Sequence, residues 1–342
     1  MSIGTSRREW LKATGMSIGA WIGAGLTAGC GRRSPLGPAS ENLGGGSIRV
    51  AHLTDVHVQP ELGAHEGFAR CLRHLQSQKQ PPALILNTGD SIYDALYQDR
   101  SRTEQQWELW RKVLRDECSL PVKHCLGNHD MWGWGKERSG TTGSEPGWGK
   151  QWALDELGMD RPYHAFDHGA WRFIMLDSCQ PLENEEIWHT RLDDEQFAWL
   201  EAELSKTNRP VLIGSHVPIM SPAVLLDPGR IGGTPDAPAL AVRRCHIDVK
   251  RIGQLFAKHP HVKLCISGHL HQIDRADYRG VTYMSNPAVS GGWWKGKHID
   301  TFGAMYTLFD LHQNGTFDVE HVDYGWQMRT PAPAASEAQA AS

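Results

Sequence analysis

Residues 123–134 read KHCLGNHDMWGW. The first half is apolar enough for a buried strand, but the chain then places Asn-His-Asp on consecutive positions 128–130. Trp132 and Trp134 follow at once. Amide, imidazole and carboxylate groups at the end of a strand are able to bind metal ions and to move protons. The stretch therefore predicts a functional site at the carboxyl end of a strand, and other strands should end in the same way.

Short apolar runs alternate with helical patterns through the body of the chain. Strands are predicted over 48–55, 83–90, 122–128, 171–178, 210–216, 262–269 and 281–286. Helices are predicted over 65–78, 104–116 and 194–204, the last with Asp193 and Gln196 placed as a capping box. This alternation predicts an α/β fold. Two long, poorly periodic stretches, 131–165 and 217–246, are predicted to be functional loops.

Several predicted strands end in residue types that bind metals. They are Asp55 and His57, Asp90, Asn128, His216, and His269 with His271. If Asp-x-His and His-x-His are extended, alternation points both ligands of each pair the same way. The glycines that precede these residues, Gly89, Gly127 and Gly268, allow close backbone approach. Nitrogen and oxygen ligands without thiolates suit Fe, Mn or Zn and argue against a structural zinc site.

The ordered series D-x-H, G-D, G-N-H-D, H and G-H-x-H resembles the calcineurin-like metallophosphoesterases over roughly residues 48–290. The resemblance implies a four-layer double β-sandwich flanked by helices, with two metal ions that lower the pKa of a bridging water for attack on phosphorus. It implies that Asp55, His57 and His271 hold one ion, that Asn128, His216 and His269 hold the other, and that Asp90 bridges both.

The same resemblance suggests roles for residues beside the ligands. His129 would stabilise the phosphoryl group or protonate the leaving oxygen, and Asp130 would orient His129. The segment GDSIY also resembles the G-D-x-x-Y of purple acid phosphatases, in which the tyrosine binds iron. Because His57 already supplies a ligand in the first motif, we expect Tyr93 to pack near the site and not to bind metal.

Tryptophan-rich segments are expected to line the rim of the site. Trp132 and Trp134 should pack the loop that carries them, with stacking on a flat substrate group as the alternative. Residues 291–298, GGWWKGKH, are a second candidate rim loop, whose Lys295 and Lys297 are expected to be solvated, with contact to a substrate phosphate as the alternative.

These observations favour an exported phosphoesterase that hydrolyses small phosphate mono- or diesters, such as nucleotides. A 3′,5′-cyclic-nucleotide phosphodiesterase is a close alternative, because residues 176–204 resemble a segment of that subgroup. An alternative of another class is a non-catalytic metal-binding scaffold on the same fold, against which the complete ligand set and His129 argue. The H-x-H-x-D-H string of metallo-β-lactamases is absent.

The first 30 residues resemble a twin-arginine signal peptide. Residues 6–12 read SRREWLK, and a short Gly/Ala-rich apolar run leads to Cys30. We therefore expect recognition by the twin-arginine export machinery and a periplasmic or cell-envelope location. In LTAGC, Cys30 is a possible lipid-attachment site, with simple cleavage as the alternative. A linker over 31–47, a catalytic domain over 48–325 and a disordered tail over 326–342 complete the predicted organisation.

The charge of the chain is unevenly distributed. The 342 residues carry a net −4, but residues 1–33 carry +4, which leaves −8 on the remainder. An acidic body argues against stable binding to nucleic acid. The six cysteines after Cys30 are expected to remain thiols, because the twin-arginine route exports proteins already folded in a reducing compartment. A Cys118–Cys125 pair stays open at this point.

Overall fold

The computed structural model describes residues 46–182, 188–226, 231–234, 237–240, 243–299 and 301–328. The predicted export signal, Cys30 and nearly all of the linker lie outside the described residues, as does the tail beyond Met328. Among the described residues, no helix is both long enough and apolar enough to span a membrane.

Two large β-sheets, two short hairpins and six α-helices make up the regular structure of the described residues. The strands are β1 (Ile48–Leu53), β2 (Leu84–Asn87), β3 (Val122–His124), β4 (His164–His168), β5 (Trp171–Leu176), β6 (Cys179–Pro181), β7 (Trp188–Thr190), β8 (Val211–Ser215), β9 (Ile231–Thr234), β10 (Ala237–Leu240), β11 (Val262–Ser267), β12 (Asp274–Tyr278), β13 (Val281–Ser285), β14 (Met305–Leu311) and β15 (Phe317–Asp323). The α-helices are α1 (Ala64–Gln76), α2 (Arg100–Glu117), α3 (Lys136–Ser139), α4 (Gln151–Leu157), α5 (Asp194–Ser205) and α6 (Val249–Phe256). All seven predicted strands and all three predicted helices are present.

The first sheet has the order β15-β14-β1-β2-β3. Strands β1, β2 and β3 are parallel, whereas β14 and β15 join antiparallel beside β1. The second sheet has the order β12-β13-β11-β8-β5-β4, with four parallel strands in the centre and an antiparallel strand at each edge. Because neighbouring strands run the same way, the carboxyl ends of β1, β2 and β3 share one sheet edge, and those of β8 and β11 share another.

Three buried apolar clusters show that the sheets and helices form four layers. Side chains from both sheets, including Val50, Phe173 and Leu264, pack together between the sheets. Phe68 of α1 and Trp107 of α2 belong to the cluster that covers the other face of the first sheet. Leu200 of α5 and Ile252 of α6 belong to the cluster on the second sheet. The predicted α/β double sandwich flanked by helices is confirmed.

The amino-terminal cap of α5 differs in part from the prediction. Asp193 accepts a hydrogen bond from the Gln196 backbone N–H at 2.7 Å, as a cap should. The Gln196 side chain does not return to Asp193; it accepts from the Asp177 N–H and donates to the Asp177 carbonyl. The expected reciprocal capping box was therefore wrong, because this buried amide instead joins the helix to the end of β5.

The stretches predicted to be loops carry some regular structure. Helices α3 and α4 lie within 131–165, and the β9–β10 hairpin lies within 217–246. Trp326, one residue past the predicted domain boundary, packs edge to face on Trp294. The six described cysteines are all free thiols, and the structure shows no disulfide between Cys118 and Cys125.

Candidate metal centre

The two sheets bring their carboxyl edges together, and all seven predicted ligands meet there. Asp55, Asp90 and Asn128 follow β1, β2 and β3 of the first sheet, while His216 and the pair at 269 and 271 follow β8 and β11 of the second. The His216 Nδ1 atom lies 2.9 Å from the carbonyl of Thr88, which joins the two edges directly.

Asp55, His57 and His271 form the first cluster of possible metal ligands, and all three are buried. The Nε2 atoms of His57 and His271 are 3.2 Å apart. The His271 Nε2 atom is also 3.2 Å from Asp55 Oδ1. Two ligands that each lie about 2.1 Å from one ion are separated by roughly 3.0–3.4 Å, so these spacings fit a shared metal ion.

Asp90, His216 and His269 form the second cluster. The Asp90 Oδ2 atom is 3.2 Å from His216 Nε2 and 3.6 Å from His57 Nε2, so it lies between the two clusters. The Asn128 Oδ1 atom is 3.2 Å from His216 Nε2. This placement is the one that a bridging Asp90 and a ligating Asn128 require.

The hydrogen bonds of the histidines show which ring nitrogens point into the two clusters. The Nδ1 atoms of His57, His216 and His271 each face a backbone carbonyl, so these nitrogens carry the hydrogen. The opposite nitrogens then present lone pairs to one another and to carboxylate oxygens. Such a convergence of acceptors is stabilised by a cation, and nitrogen and oxygen donors suit Fe, Mn or Zn.

The pKa values of the site residues also indicate that buried negative charge is concentrated at the two clusters. Burial alone raises the pKa of Asp55, but the surrounding imidazoles outweigh it and hold this pKa well below its usual range. Burial lowers the pKa of His216, but Asp90 outweighs it and raises the pKa to about 9. The Asp55 carboxylate is therefore ionised, and the buried negative charge that lowers its pKa and raises that of His216 favours a cation at this place.

The backbone of the ligand pairs is not extended. Asp55, His57, His269 and His271 all have positive φ, between 48° and 66°, and so does Asp90 at 53°. Our expectation that strand alternation aligns each pair was therefore wrong, since the strands end before the ligands begin. Left-handed turns at non-glycine residues cost energy and are retained where surrounding structure fixes them, as at functional sites.

Two glycines permit the close approach of the ligand loops. Gly89 has φ +100°, and a Cβ there would lie 2.4 Å from the Gly127 nitrogen. A Cβ on Gly268 would lie 1.9 Å from Thr54 Oγ1 and 2.2 Å from Asp55 Oδ2. The glycines of G-D and of G-H-x-H are thus required by the close packing between neighbouring ligand loops.

His129 stands beside the clusters, and Asp94 is the carboxylate that contacts it. The His129 Nδ1 atom is 3.2 Å from Asp94 Oδ1, which leaves Nε2 for a substrate. Burial lowers the pKa of His129, but Asp90 and the Asp94 hydrogen bond outweigh it and raise this pKa above its ordinary value. Asp94 is held by Gln106 of α2, which accepts from its N–H and donates to its carbonyl. Sequence reasoning missed Asp94, although an acid four residues after Asp90 was visible.

Asp130 does not orient His129 as we expected. Its carboxylate accepts hydrogen bonds from four backbone N–H groups, those of Gly127, Asp90, Ser91 and Ile92. Asp130 is fully buried, and burial together with the charge of Asp90 raises its pKa to about 7, although the backbone donors act in the opposite direction. It therefore fixes the G-D and G-N-H-D loops relative to each other.

The aromatic residues at the site are also distributed differently from the prediction. Trp132 and Trp134 are buried in the core, which agrees with packing and leaves no face for a substrate. Tyr93 contributes its carbonyl, 3.3 Å from His57 Nδ1. Trp293, which lies in the predicted rim loop 291–298, stacks on His57 with ring centroids 3.6 Å apart, a contact that the sequence did not predict. The pair of glycines before Trp293 and Trp294 was the available signal for an unusual turn.

The order and placement of these residues match a known family. Residues 48–273 match the calcineurin-like phosphoesterases. The chain belongs to the calcineurin-like phosphoesterase family. Members hydrolyse phosphoric esters with the help of metal ions, so this chain is a metallophosphoesterase, and its two ligand clusters correspond to that chemistry.

Individual relatives extend the comparison. A 3′,5′-cyclic-nucleotide phosphodiesterase of Nostoc is 24% identical over 71% of this chain and 78% of its own length. The 3′,5′-cyclic adenosine monophosphate phosphodiesterase CpdA of Escherichia coli is 23% identical over 80% of this chain and 88% of its own length. A dimetal phosphatase from Danio rerio, a solved structure, has a TM-score of 0.49 and 16% identity over 81% of this chain and 99% of its own.

Proposed function

We propose that this calcineurin-like phosphoesterase is an exported enzyme that hydrolyses small phosphate mono- or diesters at a binuclear metal centre. The observation that carries the proposal is the position of Asp90 between two clusters of buried ligands, 3.2 Å from His216 and 3.6 Å from His57. His129 lies next to both clusters with one ring nitrogen free for a substrate.

The residues of the chain divide the chemistry of ester hydrolysis among them. In the reaction, a water oxygen bonds to phosphorus, the ester P–O bond breaks, and the leaving oxygen takes up a proton. His129 Nε2 donates that proton, while Asp94 holds the ring through Nδ1. Two bound metal ions supply Lewis-acid stabilisation of the phosphoryl charge and make water a better nucleophile. Asp130 keeps Asp90 and His129 on loops of fixed geometry.

A second candidate is 3′,5′-cyclic-nucleotide phosphodiesterase activity. Two relatives that match more than two thirds of their own length are described as cyclic-nucleotide phosphodiesterases. Identities of 23–24% are too low to carry the substrate across, because specificity depends on rim residues. The site geometry accommodates either reading, since both require the same attack on phosphorus.

A non-catalytic scaffold is the alternative of another class. A scaffold has no need of an imidazole held by a carboxylate beside the metal ligands, and the His129–Asp94 contact therefore argues for catalysis.

Steady-state kinetics on the metal-loaded protein test the proposal. Hydrolysis of bis(p-nitrophenyl) phosphate should be compared with that of p-nitrophenyl phosphate after loading with Mn, Fe or Zn, and cyclic AMP should be assayed beside them. Turnover that disappears with chelator and in His129→Ala supports the proposal, and the ratio of the two rates assigns diester or monoester preference. Two bound metal ions without turnover of any of these esters would contradict it and favour the scaffold.

The export part of the proposal is supported by the paired Arg7 and Arg8 before the apolar run. Fusion of residues 1–47 to a reporter should direct it to the cell envelope, and changing both arginines to lysine should retain it in the cytoplasm. A Cys30→Ser fusion separates the two fates of the leader. Release of the reporter in soluble form by this change alone would indicate lipid attachment, whereas no change would indicate simple cleavage.

A further inference from the structure

Trp293 touches more of the site's rings than any sequence feature suggested. Its indole stacks on His57, with centroids 3.6 Å apart and planes at 25°, and lies nearly parallel to His271 at 5.4 Å. The edge of His129 meets it at 4.9 Å, with planes at 78°. Trp293 therefore packs beside both His57 and His129, whose own rings meet edge to face with centroids 5.2 Å apart.

The next residue fixes this position. Trp294 is fully buried, and its Nε1 atom donates to the carbonyls of Val56 and His57 at 2.9 and 3.0 Å. Both tryptophans have positive φ, 59° and 66°, which is unfavourable for aromatic residues. The hydrogen bonds and burial of Trp294 stabilise this left-handed backbone, and the backbone directs the Trp293 side chain toward the site.

The exposure of the side chains indicates where a substrate enters. Asp55 and His57 are completely buried, and His271 is 3% exposed. The side chain of His129 keeps 20% of its surface exposed, and Trp293 is partly exposed as well. An ester that presents its leaving oxygen to His129 must therefore lie against Trp293.

We propose that Trp293 is a specificity residue on which a planar ring of the substrate, a nucleobase or an aryl group on the alcohol side of the ester, stacks. This inference rests on the proposed hydrolysis and adds the class of alcohol that the site prefers. Two imidazoles lie nearly parallel to the indole, and the rings of His129 and Tyr93 meet it edge to face, so only its exposed part is left for the substrate. Stacking of a base on an aromatic side chain typically changes affinity about 5- to 150-fold.

Equilibrium binding to the metal-loaded protein gives the first test. Calorimetry should measure adenosine 5′-monophosphate and inorganic phosphate, which share the phosphate but differ in the ring. Trp293→Leu should weaken the nucleotide by about 5- to 150-fold and phosphate by less than about 3-fold, with Trp293→Phe in between. Trp199→Leu is the matched control, because Trp199 is a partly buried tryptophan that packs on Tyr163 over the second sheet, outside the site.

Kinetics and metal analysis give the second test. The kcat/KM of Trp293→Leu should fall about 5- to 150-fold for cyclic AMP or bis(p-nitrophenyl) phosphate, but little for the ring-free diester glycerophosphoethanolamine. Metal content should stay at that of the unaltered protein. Equal losses for ring-bearing and ring-free ligands, or a loss of metal, would overturn the inference and leave Trp293 as a cover for His57.

The two proposals fail in different ways. Hydrolysis of all the esters without any effect of Trp293 on ring preference would overturn the stacking role and leave the hydrolysis intact. Nucleotide binding that depends on Trp293, without turnover of any ester, would support the stacking role and contradict the hydrolysis. An unaltered protein that binds the nucleotide no better than phosphate would also overturn the stacking role.

Discussion

At the residue scale, hydrogen bonds to backbone carbonyls decide which nitrogen of each histidine faces the centre. His57, His216 and His271 direct Nδ1 to a carbonyl and leave Nε2 as the nitrogen that could bind a metal ion. His269 is reversed, because its Nε2 atom is 2.8 Å from the Arg243 carbonyl and its Nδ1 atom is left for the metal. These contacts fix both the tautomer and the ring orientation before any ion binds.

His129 and Asp90 should respond differently to removal. We expect His129→Ala to lower kcat by about 10²–10⁴-fold with metal content unchanged, because it removes a proton donor and no ligand. We expect Asp90→Ala to lose metal as well as activity, because Asp90 lies between both clusters. Elemental analysis of the purified variants, together with turnover of the ester that the unaltered protein prefers, checks both. Full activity in either variant would be inconsistent with the assigned site.

The carboxylates of Asp94 and Asp130 offer a matched pair. Asp94→Asn should lower kcat more than about tenfold, because Asp94 acts through His129, but no further than His129→Ala does. The KM, the metal content and the stability of this variant should stay nearly unchanged. Asp130→Asn should lower the free energy of unfolding by roughly 3 kcal/mol, because each carboxylate oxygen accepts from two backbone N–H groups and the amide NH2 that replaces one oxygen cannot accept.

Kinetics, metal analysis and denaturant unfolding separate these two outcomes. Asp94→Glu serves as the conservative control and should retain part of the kcat. A kcat effect confined to Asp130, with Asp94→Asn fully active, would restore the role that the sequence pattern suggested for Asp130.

At the scale of elements, the segment after β13 clamps the first ligand cluster. Val289 and Ser290 donate from their N–H groups to the carbonyls of Thr54 and Asp55, and the Ser290 hydroxyl donates to Asp55 as well. Gly291 accepts from His271 Nδ1 at 2.7 Å. The first motif and the last are therefore joined through a segment that carries no ligand of its own.

Two glycines in helices test how Trp294 anchors this segment. A Cβ on Gly67 of α1 would lie 2.1 Å from the Trp294 ring, whereas a Cβ on Gly253 of α6 would meet nothing within 4 Å. Gly67→Ala should therefore destabilise the fold by about 1–3 kcal/mol and weaken metal binding at the first cluster. Gly253→Ala should stabilise it by about 0.5–1 kcal/mol, since alanine favours helix.

Denaturant unfolding and metal titration of the two variants provide the comparison. An equal change of stability in the two variants would show that the Trp294 ring moves aside at little cost, and the anchoring role would then be wrong.

At the scale of the whole molecule, the layers also bury histidines that do not belong to the two ligand clusters. His124 of β3 is 8% exposed, and its Nδ1 atom accepts from Asn87 at 3.1 Å. Burial lowers the pKa of His124 to about 3, and the neighbouring His164 and Lys123 add to this. The packing of the layers thus buries a neutral imidazole, and protonation of that imidazole would destabilise the folded state.

Acid should therefore destabilise the protein in part through His124. Its pKa is about 3 in the folded state and about 6.5 in the unfolded state, so its contribution is complete above pH 6.5 and is lost as pH falls toward 3. At pH 5 the loss is about 2 kcal/mol. His124→Gln, which keeps an acceptor for Asn87, should remove this part of the pH dependence of the free energy of unfolding.

Urea unfolding of the metal-free protein and this variant between pH 7.5 and 5 gives the difference directly. The other buried histidines, such as His52, are the same in both proteins and cancel. Parallel stability curves would mean that His124 titrates normally.

The sequence by itself determined the seven parallel strands, the α/β class and the candidate ligand residues, because these depend on local patterns, whereas the eight other strands of the described residues were not predicted. Apolar runs of four to seven residues form strands wherever they are buried, and D-x-H, G-D, G-N-H-D and G-H-x-H each stand within a few residues. The order of these motifs along the chain was therefore enough to predict the family and the candidate centre.

Only the tertiary structure decided how those residues act together. It gave His129 its partner in Asp94, turned Asp130 toward backbone amides, and laid Trp293 on His57 from 236 positions away in the chain. Left-handed turns at Asp55, His57 and Asp90 likewise depend on loops from other strands to hold them. Contacts between distant segments follow from the face-to-face packing of the two sheets, and no local pattern contains that information.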